Sequence, residues 1–254
     1  MSIVFSRRSL LTGIGATSFG LLTGCDKLAK NEHFRDALFS AENFHLWSQR
    51  ALTNRHALAR EFRPDQMSPR FRSNGTRNPN TPEYMAWAEN RFEDWRLKVT
   101  GLVNRPLSVS LAQLKSMPHR EQITRHDCVE GWSAIGKWRG VPLSTILKGA
   151  DLKTNAKYLV FRCADTFGQK LGYYESIDMV DAWHPQTILA YALNDWPLTV
   201  ANGAPLRLRA ERHLGYKQAK YITEIEAVSS LAGIGGGKGG FWEDRAGYEW
   251  YAGI

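Results

Sequence analysis

The sequence predicts an α+β protein that is rich in mixed β-strands and carries a helical arm in front. Short runs of β-branched and aromatic residues predict strands at 95–100, 158–163, 206–209 and 221–228. Brief helical patterns lie between these runs, at 111–116, 143–149 and 177–183. Pro142 and Gly149 are typical of the start and the end of the second of these helices.

The region in front of the strands has the period of an amphipathic helix. Between 27 and 62, apolar residues recur every three to four positions among charged ones, which predicts a helical arm. The segment 63–82 is dense in Pro, Asn, Arg, Gly and Ser without any period, so we expect an ordered loop. The predicted organisation is a leader at 1–25, the arm and loop at 26–82, and one domain with a glycine-rich, aromatic tail at 83–254.

The composition is that of a globular protein with an excess of positive charge. The 254 residues are 43% hydrophobic and 23% charged, and the formal net charge is +8 with a pI near 9.5. Such a charge suits nucleic acid, an anionic membrane surface or an anionic ligand. We expect no nucleic-acid partner, because no recognition helix or base-stacking motif accompanies the basic residues.

The first 25 residues have the pattern of an export signal. Ser6-Arg7-Arg8-Ser9-Leu10-Leu11 opens a mildly apolar run without acidic residues, which is typical of a twin-arginine leader. The run is shorter than the roughly 20 apolar residues that a membrane span needs. We therefore expect a periplasmic protein that is exported folded, a route that suits cofactor insertion in the cytoplasm.

The cysteines leave two questions open. Leu22-Thr23-Gly24-Cys25 resembles a lipobox, so Cys25 is either a lipid-anchor site or part of an ordinary cleavage region. In an oxidising compartment, Cys128 and Cys163 either form a structural disulfide bond or include a thiol that is kept for chemistry.

The tail contains several glycines between Gly233 and Gly240, followed by aromatic residues up to Tyr251. A Walker-type phosphate loop is not expected, because Gly239 follows Lys238 where that motif needs Ser or Thr. We expect a glycine segment that passes close to another backbone or to a cofactor, with aromatic side chains fixing it to the domain.

Cys128 lies in a polar setting, His126-Asp127-Cys128-Val129-Glu130-Gly131-Trp132-Ser133. Buried structural cysteines usually lie in apolar strands, so this setting indicates a thiolate at the edge of a cavity. A zinc site made of His119, His126 and Cys128 would have poor ligand spacing and no second Cys/His pair nearby.

A later segment has the composition of a phosphate-binding site. Five basic side chains lie within 14 positions, and Gly203 and Gly215 can turn backbone N–H groups towards an anion. The five are Arg207, Arg212, His213, Lys217 and Lys220. The alternative is a solvated basic face, on which Arg207 and Arg209 alternate with buried residues of a strand.

Both segments resemble the oxidoreductase molybdopterin-binding family, which includes sulfite oxidases and the periplasmic methionine-sulfoxide reductase catalytic subunit. The first segment, followed by Trp138-Arg139-Gly140-Val141-Pro142-Leu143, resembles the cofactor-cysteine motif of that family. Asn202-Gly203-Ala204-Pro205-Leu206-Arg207, with Gly215-Tyr216-Lys217, resembles its pterin-phosphate motif. The motifs stand in the family's order, and the resemblance covers about 94–228.

The resemblance implies a β-rich, sulfite-oxidase-type fold that binds a molybdenum–molybdopterin cofactor (Moco). It implies that Cys128 is the protein's thiolate ligand to molybdenum, beside two dithiolene sulfurs of the pterin. Tyr173 or its neighbour Tyr174, together with Arg125, would orient a small oxo-substrate for oxygen-atom or two-electron transfer. The residues implied in cofactor binding are Asn74, Cys163, Asn202, Arg207, His213, Lys217, Gln218, Ala219 and Lys220.

The chain also departs from the family's pattern. About 26 residues follow Val228, too few for the C-terminal dimerisation domain of sulfite oxidases, so we expect a monomer. Asp127 stands beside the ligand where the reductase subunit has arginine, a difference that bears on the substrate. No Cys-x-x-Cys-His motif is present, so we expect electron exchange with a haem- or quinone-linked partner. The rival hypothesis is a periplasmic binding module for an anionic ligand, with a structural Cys128–Cys163 disulfide bond.

Replacing Arg7 and Arg8 together with lysine should leave the precursor in the cytoplasm, because the pair is read as an address and not as charge alone. Cell fractionation with an antibody against the mature chain checks this, and Lys27→Arg with Lys30→Arg is the charge-conserving control. Wild-type amounts of the Arg7→Lys, Arg8→Lys protein in the periplasm would contradict the twin-arginine assignment.

Overall fold

The computed structural model describes residues 32–168 and 172–254. The predicted leader, with its arginine pair and Cys25, lies outside the described residues. The chain divides into two compact units, residues 1–52 and 53–254. In the first unit the structure describes one helix, α1 (Glu32–Leu52). Within the described ranges, no helix combines the length and the apolar character needed to cross a membrane.

The second unit is built from strands and short helices. The strands are β1 (Arg96–Gly101), β2 (Leu107–Ser110), β3 (Arg120–Cys128), β4 (Trp132–Pro142), β5 (Tyr158–Cys163), β6 (Tyr174–Asp178), β7 (Ile188–Leu193), β8 (Trp196–Pro197), β9 (Arg207–Arg209) and β10 (Ile222–Val228). The helices are α2 (Pro82–Glu89), α3 (Leu111–Ser116), α4 (Leu143–Ala150), α5 (Met179–Ala182) and α6 (Phe241–Ala246).

The strands of the described ranges form two five-stranded sheets. The first has the order β2-β1-β10-β5-β6, in which β1 and β10 run parallel and the other neighbours are antiparallel. The second has the order β3-β4-β7-β8, and β9 also pairs with β7. The predicted α+β class with mixed strands is therefore confirmed.

One hydrophobic core joins both sheets. It contains Leu97 from β1, Leu189 from β7 and Ile146 from α4, all of which are buried. All six residues of β7 are buried, as expected for a central strand. Burial of one such aliphatic side chain stabilises the fold by about 1.5–3 kcal/mol, so the core can hold polar residues of the site in fixed positions.

Two predicted elements differ from the structure. The predicted helix 27–62 is wrong beyond Leu52, because the chain there pairs with β3: Phe62 N donates to Ile123 O at 2.8 Å. The predicted helix 177–183 begins later, because 177 and 178 complete β6. The Asp178 side chain then accepts a hydrogen bond from Asp181 N (3.0 Å) and caps α5.

Three backbone features position Cys128, the 3-10 turn after β9 and the tail. A tight turn joins β3 to β4, and Gly131 takes the left-handed conformation there (φ 83°) while its N–H donates to Cys128 O at 3.0 Å. A 3-10 turn (Gly215–Lys217) follows β9. The tail then returns to this turn, since Leu214 N donates to Ala252 O at 3.0 Å.

Candidate functional site

A cavity of about 190 Å³ lies where the β3–β4 turn, the loop before α2 and the tail meet. Cys128, at the end of β3, lines it together with Tyr173 and Lys220. The other lining residues are Asn74, Gly75, Thr76, Val129, Glu130, Asp165, Phe167, Tyr216, Gln218, Tyr221, Trp242 and Tyr248.

The Cys128 thiol is free and half-buried at this cavity. Burial raises the pKa of the thiol above its usual value. A metal ion binds the thiolate, so metal binding here would release the thiol proton. Cys163, at the end of β5, is also a free thiol, and the structure therefore lacks the Cys128–Cys163 disulfide bond of the rival hypothesis.

Strand β9 carries two arginines, Arg207 and Arg209, and both are fully buried. Their guanidinium groups lie over the Trp138 ring, 5.0 and 4.4 Å from its centroid. Arg209 forms a two-pronged ion pair with Glu211, at 2.9 and 2.5 Å. Arg207 has no carboxylate partner among the described residues, and its Nε has no hydrogen-bond partner there. The alternative of a solvated basic strand is therefore wrong.

Lys220 is the second buried cation that pairs with no carboxylate in the described part of the chain. Only 8% of the residue is exposed. Its Nζ donates to the backbone carbonyl groups of Asn74 (2.7 Å), Thr76 (2.5 Å) and Ala201 (3.1 Å).

The pKa values of these two cations show the cost of burying them unpaired. Burial and the nearby Arg209 lower the pKa of Arg207 to about 9. Burial and Arg207 lower the pKa of Lys220 to about 7. Buried charges are stable when they are paired, so an anion bound beside Arg207 and Lys220 would stabilise the charged form of both side chains.

The three other basic residues of the predicted cradle already have carboxylate partners. Arg212 Nη2 lies 2.7 Å from Asp181 Oδ1. His213 Nε2 lies 2.8 Å from Asp181 Oδ2. Lys217 Nζ lies 2.8 Å from Glu175 Oε2 and 2.5 Å from Glu243 Oε1. Arg212, His213 and Lys217 do not line the cavity, and the geometry places all three in internal ion pairs instead of in an anion site. Arg207 does not line the cavity either, but it lies near Lys220, which does.

Several buried polar atoms near the cavity also lack a hydrogen-bond partner among the described residues. They are Ser73 Oγ, Asn74 Oδ1, Arg207 Nε and His126 Nε2. Buried polar groups are normally hydrogen-bonded, so these atoms are available to a polar ligand. Such a ligand would have to offer both donors and acceptors.

His126 is held in one tautomer by its neighbour. Its Nδ1 lies 2.8 Å from Arg209 Nη1, which can only donate, so the ring proton is on Nε2. Burial and Arg209 lower the pKa of His126 well below its usual value, and the ring is neutral. A Cβ at Gly215 would lie 2.7 Å from His126 Nε2, so only glycine leaves room for this contact.

A second, more open depression of about 550 Å³ adjoins the cavity and shares Glu130 with it. The predicted loop 63–82 contributes Arg70, Arg72 and Arg77 to its lining, and Asn202 also lines it. Glu130 is the one acidic residue among the lining residues that the structure describes. The depression therefore extends the positive charge of the site outwards from Arg207, whose Nη1 donates to Asn202 O at 3.1 Å.

The two candidate tyrosines serve different surfaces, as neighbours in extended backbone do. Tyr173 lines the cavity, and its hydroxyl donates to Tyr216 O at 2.8 Å. Tyr174 is buried away from the cavity, and its hydroxyl forms a hydrogen bond with Asp244 of the tail. Tyr173 is therefore the tyrosine that a ligand in the cavity can contact.

Three further predicted residues do not line the cavity. Arg125 is exposed and donates from Nε to Asp127 Oδ2 (2.9 Å), and the alternation of β3 places it on the face opposite Cys128. Cys163 packs against the main core, and Ala219 is buried within it. The described residues contain no group of three His, Cys, Asp or Glu side chains suited to a metal, so the zinc hypothesis has no support.

These features together define a class of site. A free thiol at a cavity suits a soft transition metal, while unpaired buried cations suit phosphate. The polar atoms without partners suit a heterocycle that carries donors and acceptors. The metal–pterin cofactor that the family resemblance implies has all three properties, so the site fits a cofactor-dependent oxidoreductase.

Comparison with known proteins identifies the family. Residues 84–232 match the model of the oxidoreductase molybdopterin binding domain. The chain belongs to this family and is a molybdopterin-binding oxidoreductase, as the two sequence motifs predicted.

Two relatives are named as subunits of protein-methionine-sulfoxide reductases. The chain is 39% identical over 255 residues to the putative protein-methionine-sulfoxide reductase subunit YedZ1 of Azospira oryzae, which covers 98% of this chain and 86% of that protein. It is 38% identical over 151 residues to the protein-methionine-sulfoxide reductase catalytic subunit MsrP of Xanthomonas campestris pv. campestris. That match covers 56% of this chain and 47% of the relative, about half its length.

A solved structure supports the fold. The sulfane dehydrogenase SoxCD of Paracoccus pantotrophus superposes with a TM-score of 0.50 at 22% sequence identity, over 54% of this chain and 39% of that one. The likeness concerns the fold alone, and the predicted sulfite-oxidase-type fold is confirmed.

Sequence reasoning missed several residues that the structure brings to the site. His126 belongs to the cysteine motif and lies two residues before Cys128. Residues i and i+2 of a strand share a face, so this spacing could have indicated that His126 lies on the same side of β3 as Cys128. Ser73 and the three arginines lie in a loop without periodicity, where only the density of arginine pointed to function. Trp242 and Tyr248 line the cavity from the tail, beyond the residues that match the family model.

Replacing Arg207 with methionine should have opposite effects on the cofactor and on the empty fold. Cofactor retention should weaken by about 1.5–3 kcal/mol, because the anion loses a charge-assisted partner. The cofactor-free variant should melt at a higher temperature than cofactor-free wild type, since an unpaired buried charge is removed. Pterin analysis and thermal unfolding check both effects, with Arg63→Met, at an exposed arginine, as the control. Unchanged pterin content together with a lower melting temperature would make Arg207 a purely structural residue.

Proposed function

We propose that this chain is the molybdenum-containing catalytic component of a sulfoxide reductase that acts on methionine sulfoxide. The observation that carries the proposal is the free Cys128 thiol on a cavity that Lys220 also lines, with Arg207 buried near Lys220. Neither cation has a carboxylate partner among the described residues. The names of the relatives support sulfoxide as the substrate class. Sulfite-like oxo-substrates belong to the same chemistry and are the comparison substrates in the assay.

Residues that line the cavity, together with Arg207 and His126 buried behind it, suit the proposed cofactor by type. Cys128 would bind the metal, while Arg207 and Lys220 would neutralise the anionic pterin phosphate. Asn74 Oδ1 and His126 Nε2 offer an acceptor and a donor to the pterin. When bound, the cofactor supplies two-electron redox chemistry at the metal.

Aromatic side chains of the cavity wall suit the substrate. Phe167, Tyr216, Trp242 and Tyr248 line the cavity, and the rings of Trp242 and Tyr248 are stacked with centroids 5.9 Å apart. Aromatic edges attract the sulfur of a thioether by about 0.3–1.5 kcal/mol, so this wall would hold a methionine side chain. The same wall would limit the access of water to the reacting atoms, and the Tyr173 hydroxyl would contact the sulfoxide oxygen.

The proposal includes a partner and a compartment. Electrons would come from a haem- or quinone-linked redox partner, which the word subunit in the names of the relatives supports. The twin-arginine pattern supports action in the periplasm, where oxidised methionine would be met on other proteins. Detergent partitioning of the mature protein would decide whether Cys25 carries a lipid or belongs to an ordinary cleavage region.

Replacing Cys128 with serine should abolish turnover and leave the pterin in place. A serine oxygen is a harder and less donating ligand than a thiolate, so the sulfur-to-metal absorption should shift or vanish. Turnover of methionine sulfoxide with a reduced viologen dye should fall by orders of magnitude. Cys163→Ser is the matched control, because Cys163 lies outside the cavity lining and should keep the thiolate absorption.

The pair of variants also separates the enzyme from the rival binding module. If the two cysteines formed a disulfide bond in the mature protein, both variants would lose the same stabilisation of about 2–5 kcal/mol. Equal destabilisation by both changes, with no metal absorption in the parent protein, would contradict the proposed function.

A further inference from the structure

A buried cluster of three ionisable side chains lies next to Tyr173 and has no role in the cofactor site described above. It consists of Glu175 on β6, Lys217 in the 3-10 turn and Glu243 on α6, all of them fully buried. Lys217 Nζ lies 2.8 Å from Glu175 Oε2 and 2.5 Å from Glu243 Oε1. Two carboxyl groups share one ammonium group, so full ionisation would bury an uncompensated negative charge.

The contacts of Tyr173 indicate which carboxyl group is protonated. Its hydroxyl oxygen lies 2.8 Å from Tyr216 O and 3.3 Å from Glu175 Oε1. The hydroxyl has a single hydrogen, and the nearer Tyr216 carbonyl can only accept it. While the Tyr173 hydrogen is donated to Tyr216 O, a hydrogen bond between Tyr173 and Glu175 requires a hydrogen on the carboxyl group of Glu175.

The balance of burial and neighbouring charges favours the protonated form of Glu175. Burial raises the pKa of Glu175 well above its usual value, Lys217 opposes this shift, and Glu243 adds to it. Burial opposes the charge of Lys217, but the two carboxyl groups raise its pKa, so Lys217 stays charged. A Cβ at Gly240 would stand 2.6 Å from Glu175 Oε2 and would collide with Glu243, so the tail glycine allows the carboxyl groups to approach.

We propose that Glu175 holds a proton and delivers it through the Tyr173 hydroxyl to the substrate oxygen in the cavity. This proposal rests on the proposed function, in which a sulfoxide takes up two electrons and two protons and leaves as sulfide and water. The redox partner supplies the electrons. Tyr173 gives its hydroxyl proton to the oxygen and regains one from Glu175, and solvent supplies the second proton. Glu175 is left as a carboxylate beside Lys217 until solvent protonates it again.

Glu175→Gln keeps the shape of the side chain and removes the transferable proton. We expect kcat for methionine sulfoxide to fall by about 10²-fold or more, with KM unchanged, because a general acid contributes about that factor. The second readout is independent of turnover: wild type at neutral pH should show the infrared carbonyl band of a protonated carboxylic acid, and the variant should lack that band.

Glu243→Gln is the matched control, because it removes a carboxylate from the same Lys217 without contacting Tyr173. Loss of that neighbouring charge should lower the pKa of Glu175, so both the alkaline decline of kcat and the loss of the infrared band should move to lower pH. In Glu175→Gln the alkaline decline should disappear. A purely structural role for the cluster predicts equal losses in both variants at every pH.

Tyr173→Phe tests proton transfer through the Tyr173 hydroxyl separately from the protonation of Glu175. It should keep the infrared band and lower kcat, and combining it with Glu175→Gln should cost little more than the larger single change, since both interrupt one path. Additive losses, or an infrared band that is equal in wild type and Glu175→Gln, would overturn the relay. Wild-type protein that contains the cofactor and reduces no sulfoxide would refute the proposed function instead, and the infrared comparison would still decide the state of Glu175.

Discussion

The uncompensated charge of Arg207 is the constraint around which the site is organised. Its neighbour on the same strand provides an internal comparison: Arg209 has the same burial and the same contact with Trp138, but it is balanced by Glu211. A buried charge without a partner costs several kcal/mol, which a fold tolerates where a bound anion supplies the missing charge. Lys220 has the same character and lines the same cavity as the Cys128 thiol.

The opposite electrostatic arrangement lies behind Tyr173. There the protein has more carboxyl groups than cations, and the fully buried Lys217 is shared by Glu175 and Glu243. One side of the cavity is thus suited to an anion and the other to a stored proton. The tail contributes to the second arrangement through Glu243 and Gly240, and to the cavity wall through Trp242. All three residues follow the part of the chain that matches the family model.

The sequence predicted the chemistry of the site better than its geometry. The motif around Cys128 and the later basic segment indicated the cofactor through their resemblance to the molybdopterin-binding family. Burial could not be read from spacing, however, so Arg207, Lys217 and His213 looked alike in the sequence. Their carboxylate partners Glu175, Asp181 and Glu243 come from other elements, and only the fold shows which cation is left unpaired.

The secondary-structure predictions likewise succeeded where the sequence pattern is local and failed where distant parts of the chain interact. Strand β5 and helix α3 were predictable because their patterns are local, whereas β3 and β4 were missed because polar and glycine residues interrupt their alternation. The helical period continued past Leu52, but pairing of the chain with β3 replaced the helix there. Long-range hydrogen bonds of this kind leave no periodic signal in the sequence.

We propose that the buried cations Arg207 and Lys220 hold an anionic pterin cofactor and that Cys128 binds its metal. The most direct measurement is the content of molybdenum and of phosphate-bearing pterin in the natively folded protein, purified from a host that makes the cofactor. The proposed cofactor site predicts equimolar molybdenum, pterin and polypeptide. Folded protein from such a host that contains neither molybdenum nor pterin would contradict it.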